Sequence, residues 1–178
     1  MARSEFAWVF GCFLPAVPFV HGGFELGETQ PVNTGLDFTA GELARYPADE
    51  LPLYAPWAYD WSRESRALDA IRRSLDVRSE FFDLVTVQDP ASFSLAHASP
   101  GDVVGYVRAD AGDAVAVVGN SSGQRATARV ERLPFPDGLA IDRMNGRPCE
   151  IRDGILHVDL APWECLVLTR RDGSPDHV

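Results

Sequence analysis

The chain has 178 residues, a hydrophobic content of 46% and a formal net charge of −10 at pH 7. This length allows one domain or two small ones. Lysine is absent and acidic residues outnumber arginines. Nucleic acids and anionic membrane surfaces attract proteins with an excess of positive charge. The composition therefore argues against both partners and favours a neutral substrate.

The first predicted elements are a short helix over residues 4–11 and an apolar run over 13–20. The helix is expected to turn Phe6, Val9 and Phe10 towards a sheet. The apolar run is too short for a core helix and contains two prolines, and we interpret it as a buried strand, covered on both faces as in a parallel sheet. The prolines can lie only near the start of this strand or on an unpaired side. His21-Gly22-Gly23 would end this strand.

A secretory signal peptide is the alternative interpretation of the first twenty residues. Glu5 in the region that should be basic, Pro15 and Pro18 in the apolar core, and the lack of an Ala-x-Ala site argue against it. The run is also too short to cross a membrane. We therefore expect a cytoplasmic protein.

Residues 22–61 form a long segment rich in glycine, proline and aromatic side chains. Long loops of this kind in compact domains are usually functional. Carboxylates and amides bind sugar hydroxyls while aromatic rings pack on the apolar face of a pyranose. The candidate substrate-binding residues are Glu25, Glu28, Asn33 and Trp57. For the two glutamates, acid/base catalysis and a structural role remain alternatives, and for Trp57 the alternative is an anchor that pins the loop.

A helix is predicted over residues 63–82, with Ser62 as its N-cap. Its apolar positions are Leu68, Ile71, Leu75 and Phe82, and its charged face is expected to lie in solvent.

From about residue 83 the apolar period changes to two. Strands are predicted over residues 93–98, 103–108, 114–120, 125–130, 156–159 and 165–169. Turn-forming sequences separate them, which is typical of an antiparallel sandwich. Residues 172–178 are expected to form a frayed tail. Asn120-Ser121-Ser122 fits the N-glycosylation pattern, which we interpret as incidental.

The three cysteines, Cys12, Cys149 and Cys165, have no metal-binding spacing. Free buried thiols are the favoured interpretation, and a disulfide between Cys149 and Cys165 is the alternative. No metal site and no cofactor are predicted.

Several segments resemble α-amylase-like enzymes of glycoside hydrolase family 13. LPAVPFVHGGFELGE resembles the last barrel strand and the loop after it, and PVNTGLDF and LPLY…DW resemble further segments. DRMNGRPCEIRDGILHVDLAPWECLVLTRR resembles the end of the β-sandwich that follows the barrel. The family's three catalytic carboxylates follow barrel strands four, five and seven. No segment of this sequence matches those, so no catalytic residue is assigned.

The resemblance implies a mostly β fold, an antiparallel C-terminal β-sandwich preceded by the last β/α unit of a truncated barrel. Residues 1–85 would be the barrel remnant and 86–171 the sandwich. The expected function is a portion of an α-glucan hydrolase or transglycosylase, inactive alone, whose apolar strand is covered by the missing barrel or by a second copy. The alternative is a free-standing carbohydrate-binding or interaction module.

Overall fold

The computed structural model describes residues 2–20, 23–27, 39–45 and 60–170. In these ranges the helices are α1 (Ala2–Cys12), α2 (Ala40–Arg45), α3 (Arg66–Glu80) and α4 (Phe82–Thr86). The strands are β1 (Phe93–Leu95), β2 (His97–Ser99), β3 (Val103–Ala109), β4 (Ala114–Asn120), β5 (Ala126–Glu131), β6 (Gly138–Asp142), β7 (Arg147–Arg152), β8 (Ile155–Leu160) and β9 (Cys165–Arg170). Single 3-10 turns lie at Phe24–Leu26 and Pro90–Ser92.

The nine strands of the described ranges form one antiparallel sheet in the order β1-β3-β4-β9-β6-β7-β8-β5-β2. The two ends of this order, β1 and β2, follow each other directly in the chain. Ala96 lies between them and donates its amide proton to the carbonyl of Gly105 in β3. The sheet is therefore nearly closed into a sandwich-like arrangement, which confirms the predicted mostly β fold.

The interior of the sandwich is filled by one side of each principal strand. β5, β7 and β8 alternate strictly between buried and exposed positions. This pattern is expected where one face of a strand meets the core and the other meets water. The interior residues include Val107, Ala116, Val118, Val130, Ile151, Leu156, Leu160, Leu166 and Leu168.

β4 and β9 are buried on both faces. Five or more consecutive residues in each strand are inaccessible to solvent. Their outward side chains, with Tyr106 of β3, pack against residues of α1, α3 and α4. The near-continuous apolar sequences AVAVVGN and CLVLTR are therefore the sequence counterpart of a sheet face that helices cover.

Helix α1 sits directly on β4 at Gly119. A Cβ atom at position 119 would lie 2.5 Å from Cε2 of Phe6 and 3.3 Å from Cδ2 of Phe10. The two rings stack with centroids 5.5 Å apart, and Phe10 meets Tyr106 edge-on at 5.1 Å. Because this glycine lacks a side chain, the aromatic face of α1 can approach the sheet closely. Phe6 and Phe10 thus face the sandwich sheet, whereas the resemblance had implied that this helix packs on the sheet of a barrel.

Helix α3 begins later than the sequence suggested. Ser65, not Ser62, is the N-cap, and its hydroxyl accepts a hydrogen bond from the amide of Ala67 at 3.2 Å. The hydroxyl of Ser62 instead donates to Asp60 Oδ1 at 2.6 Å. The buried face is also displaced from the predicted one. It consists of Ala67, Ala70, Ile71, Ser74 and Val77, whereas Leu75 and Phe82 are exposed.

The predicted strand over residues 13–20 is a second correction. The structure gives this segment turn, bend and irregular backbone, without a strand ladder among the described residues. Phe13 is fully buried, and Arg78 donates hydrogen bonds to the carbonyls of Cys12 and Ala16. An apolar run becomes a strand only by pairing with another strand, and here it is held by an arginine and by packing instead.

A buried arginine joins α4 to the sheet. Arg108 of β3 is inaccessible to solvent, and its Nη2 donates to the carbonyls of Leu84 at 2.9 Å and Val87 at 2.8 Å. Burial lowers the pKa of this guanidinium. The contact fixes the chain where it passes from helix to sheet.

All six predicted strand regions are present, although the first divides into β1 and β2. The sequence missed β6 and β7, which the Asn-Gly and Asp-Gly turns border. Gly146 and Gly154 have φ angles of 69° and 70°, the left-handed conformation that such turns need. The proposed division near residue 85 stays a prediction.

Candidate functional site

Of the four predicted substrate-binding residues, the structure describes only Glu25. Glu28, Asn33 and Trp57 lie outside the described residues, as does His21. The structure therefore does not test whether the four residues come together.

Glu25 lies in the single 3-10 turn between Gly23 and Gly27. Both glycines have left-handed φ angles, 92° and 65°, and the amide of Gly27 donates to the carbonyl of Phe24 at 2.9 Å. Leu26 is buried, and the ring of Phe24 lies 6.4 Å from that of Trp8. The turn is thus fixed by packing against the helices and holds Glu25 at a set position.

The carboxylate of Glu25 is partly buried. Its Oε2 is inaccessible to solvent and has no hydrogen-bond partner among the described residues. A buried carboxylate oxygen without a donor is costly. Because water cannot reach this oxygen, a ligand donor can bond to it only after the side chain turns outwards.

A groove of about 320 Å³ lies between the helices and the sandwich. One wall is formed by α1 and α3, and the other by the β6–β7 and β8–β9 connections. Its polar side chains are Glu5, Arg66, Asp69, Arg73, Asn145 and Glu164, and its aromatic side chains are Phe6 and Trp163. Such a volume is within the range of small-molecule sites.

Trp163 is held in a conformation that is unusual for a bulky residue. Its φ angle is 59°, in the left-handed region, and its amide donates to the carbonyl of Ser122 at 3.1 Å. The exposed guanidinium of Arg3 lies over the indole, 4.6 Å from the ring centroid. Phe6 meets the ring edge-on at 6.0 Å.

Asn120 braces the loop that carries Trp163. It is inaccessible to solvent, and its Nδ2 donates to the carbonyls of Gln124 at 2.6 Å and Ala161 at 3.0 Å. Its Oδ1 accepts from the amide and the hydroxyl of Ser122 at 3.0 and 2.9 Å. A side-chain amide with all these partners is unavailable to a glycan, which agrees with the interpretation of the sequon as incidental.

The three cysteines are free and buried. Burial raises the pKa of each thiol, most strongly for Cys165. Thiols of this kind are poor nucleophiles, because the thiolate is the reactive form. Within the described ranges, no group of His, Cys, Asp and Glu side chains is placed to hold a metal ion.

Two apolar side chains remain in solvent beside this packed core. Val17 is 91% exposed and Phe19 is 84% exposed. The sequence had led us to expect that nothing within this chain covers the apolar segment. Instead, Trp8, Val9 and Phe13 are buried against the sheet and α3. Within residues 2–20, the exposed large apolar side chains are therefore those of Val17 and Phe19.

Sequence reasoning missed the groove residues Glu5 and Trp163. One signal was present for Trp163. The Ala-Pro-Trp-Glu connection between strands places a bulky residue in a tight turn, where glycine is usual.

No protein-family model matches the sequence, and no curated protein matches it. Several solved structures share its fold. The α-amylase of Geobacillus thermoleovorans, solved with acarbose, is 14% identical with a TM-score of 0.69, over 97% of this chain and 34% of that chain. The γ-cyclodextrin glucanotransferase (CGTase) of alkalophilic Bacillus clarkii is 19% identical with a TM-score of 0.66, over 98% and 24%.

The protein AmyP, solved in complex with maltotriose, is 15% identical with a TM-score of 0.66, over 97% and 35% of the two chains. The chain thus spans about a third or less of the length of these structures. Its fold, with few helices and a nearly closed antiparallel sheet, is that of the C-terminal part of α-amylase-type enzymes.

None of the helices in the described ranges has the length and apolar character that crossing a membrane requires.

Proposed function

We propose that this chain works as the C-terminal part of an α-amylase-type glycosidase or transglycosylase acting on α-glucans, and that it does not catalyse the reaction alone. The observation that carries this proposal is the extent of the structural match. It covers 97% of the chain in the Geobacillus enzyme, so it includes the helical segments as well as the sandwich. A free-standing sandwich would match only over its strands.

The names of the similar structures support the substrate class. They include α-amylases, a cyclodextrin glucanotransferase, and proteins solved with maltose and maltotriose. All of these names concern α-glucans or enzymes that use them. The net charge of −10 is compatible with such neutral substrates.

The exposed apolar residues Val17 and Phe19 fit a role inside a larger assembly. Burying two such side chains contributes about 1.5–3 kcal/mol each. In a barrel-containing enzyme, the remaining strands would cover the segment that carries them.

Inactivity alone follows from the chemistry of glycoside hydrolysis. A retaining enzyme needs a nucleophilic carboxylate and an acid/base carboxylate on either side of the scissile bond. The segments that carry these groups in the resembled family have no counterpart in this sequence. Glu25 is placed on a turn packed against α3.

The test is an activity assay of the purified chain on soluble starch, glycogen and maltodextrins. We expect no release of reducing sugar above that of a heat-treated sample. Turnover that survives repurification and is lost in Glu25→Gln would overturn the proposed inactivity.

The larger enzyme is tested separately. If an in-frame upstream extension encodes further strands with Asp and Glu at their ends, the extended protein should hydrolyse or transfer α-glucans. An extended protein that is inactive on every α-glucan would contradict the assignment.

A further inference from the structure

We propose that the groove between α1, α3 and the β8–β9 connection is a second carbohydrate-binding site, which takes a segment of α-glucan chain with Trp163 as its stacking platform. The choice of an α-glucan rests on the function proposed above, whereas the choice of a neutral oligosaccharide rests on the groove itself.

The groove combines the two kinds of surface that a sugar needs. Phe6 and Trp163 supply aromatic area, and carboxylate, guanidinium and amide groups lie beside them. A pyranose has apolar C–H faces and a rim of hydroxyls, so it can use both at once. A purely apolar ligand would leave the charged groups desolvated without partners.

The charges at the groove nearly balance, which suits a neutral ligand. Three carboxylates, from Glu5, Asp69 and Glu164, face two guanidiniums of the lining, from Arg66 and Arg73. Arg3 lies over the indole and Arg147 lies 3.7 Å from Glu164, so neither sign of charge dominates. A sugar carries no charge and can donate hydroxyl protons to the carboxylates.

Glu5 places a carboxylate in the wall of the groove. Its side chain is 17% exposed, and Oε2 lies 3.3 Å from Nη2 of Arg66. Its Oε1 has no hydrogen-bond partner among the described residues and is inaccessible to water, so a ligand hydroxyl can donate to it once the side chain turns towards the groove.

The platform is rigid before any ligand arrives. The β8–β9 connection is tied through Asn120 to the β4–β5 connection, and Trp163 is locked in its left-handed conformation by its bond to Ser122. A site whose side chains are already ordered loses less entropy on binding. The indole is therefore presented for stacking without rearrangement of the loop.

Arg3 covers the indole in the free chain. Its guanidinium is exposed and lies over the ring, so an incoming sugar competes with it for the aromatic face. Arg3→Ala should therefore strengthen binding by about twofold to fivefold, the equivalent of an exposed cation–π contact. A site elsewhere on the chain would not respond to this substitution.

In the experiment the full chain is titrated with maltoheptaose, and binding is measured by isothermal titration calorimetry or by tryptophan fluorescence. We expect saturable binding that Trp163→Ala weakens by about tenfold or more, from the loss of aromatic contact. Trp61→Ala removes a tryptophan that is 62% exposed and outside the groove, so it is the matched control and should bind like the parent chain.

Two further variants keep the test decisive if Trp163→Ala does not fold. Trp163→Phe keeps a ring and should retain most of the affinity, and Glu5→Gln should weaken binding because an amide is a poorer acceptor than a carboxylate. Near-ultraviolet circular dichroism and the melting temperature show which variants are folded.

Three outcomes would overturn the inference. These are the lack of saturable binding up to the solubility limit of maltoheptaose, binding that neither Trp163→Ala nor Glu5→Gln changes, and equal affinity for cellohexaose. The last would reject an α-glucan as the ligand. None of them bears on starch turnover by an extended protein, so this inference and the proposed function can fail independently.

Discussion

The substitution Gly119→Ala tests whether α1 is seated on the sheet as the structure shows. The added methyl would lie 2.5 Å from Phe6 Cε2, much closer than carbon atoms approach each other in folded proteins. The Phe6 ring cannot easily move away, because it stacks on Phe10 and meets Trp163 edge-on. The helix or the ring must therefore shift.

Overpacking of this kind costs about 1–3 kcal/mol. It is opposed by a gain of about 0.4–1 kcal/mol, because alanine reduces the conformational freedom of the unfolded chain. The two effects together give a net loss of about 0–2.6 kcal/mol. We expect the upper half of this range, because Phe10 and Trp163 hold the Phe6 ring in place. For a chain of this size each kcal/mol lowers the melting temperature by about 2–4 °C. Urea unfolding and thermal melting measure both quantities.

The control is Gly112→Ala, where an added Cβ has no neighbour within 4 Å. It should be neutral or slightly stabilising. Phe6→Ala then provides a double-mutant cycle, since removing the ring should abolish the cost of the methyl at position 119. An equal cost of Gly119→Ala with and without the ring would show that α1 does not rest on β4 through Phe6.

Three further predictions concern bracing, pH and association. Asn120→Ala should lower the free energy of unfolding in urea by about 1–3 kcal/mol, since it leaves partly buried carbonyls and an amide without partners. A loss below the error of measurement would refute the bracing role. Burial raises the pKa of Asp142 against the hydrogen bonds from Asn145 and two backbone amides. The free energy of unfolding of the parent chain, compared with that of Asp142→Asn, should therefore be greatest below the ordinary Asp pKa of about 3.9. This advantage should fall as the pH rises through the raised pKa of Asp142. A difference between the two proteins that does not depend on pH would contradict this. The chain should self-associate at tens of micromolar, because Val17 and Phe19 together leave roughly 3–6 kcal/mol of burial unused. In sedimentation, the double variant Val17→Ser, Phe19→Ser should be monomeric. The control Leu139→Ser, which removes another exposed apolar side chain, should associate like the parent chain.

The sandwich could be predicted from the sequence because its local signals agree with one another. Alternating apolar residues lie between Asp-Gly, Asn-Gly and Ser-Ser-Gly turns, and the strands follow from them almost residue for residue. β6 and β7 escaped the prediction, and for β7 one reason is Pro148, which weakens the apparent strand character of the segment. Their existence depends on pairing with β9 and β8, which local sequence does not encode.

The segment 13–20 shows where the sequence pattern is insufficient. An apolar run with prolines fits a buried strand, but a strand also needs a neighbour to pair with. The sequence does not reveal that Arg78, 66 residues from Cys12, supplies the hydrogen bond at the start of this segment. The groove around Trp163 was equally hidden, because its residues come from four separate parts of the chain.

The burial pattern of the strands explains how the helices and the sandwich form one structure. β5, β7 and β8 alternate because one face meets water. β4 and β9 are near-continuously apolar, apart from the polar residues at their ends, because α1 and α3 lie on their outer face. The apolar sequence of β4 therefore predicts that another element of the fold covers the outer face of this strand. Gly119 further indicates that this element approaches the strand closely. Because the same helices form one wall of the groove, the packing that stabilises the sheet also positions Glu5 opposite Trp163, and a sandwich without its helices would lack this site.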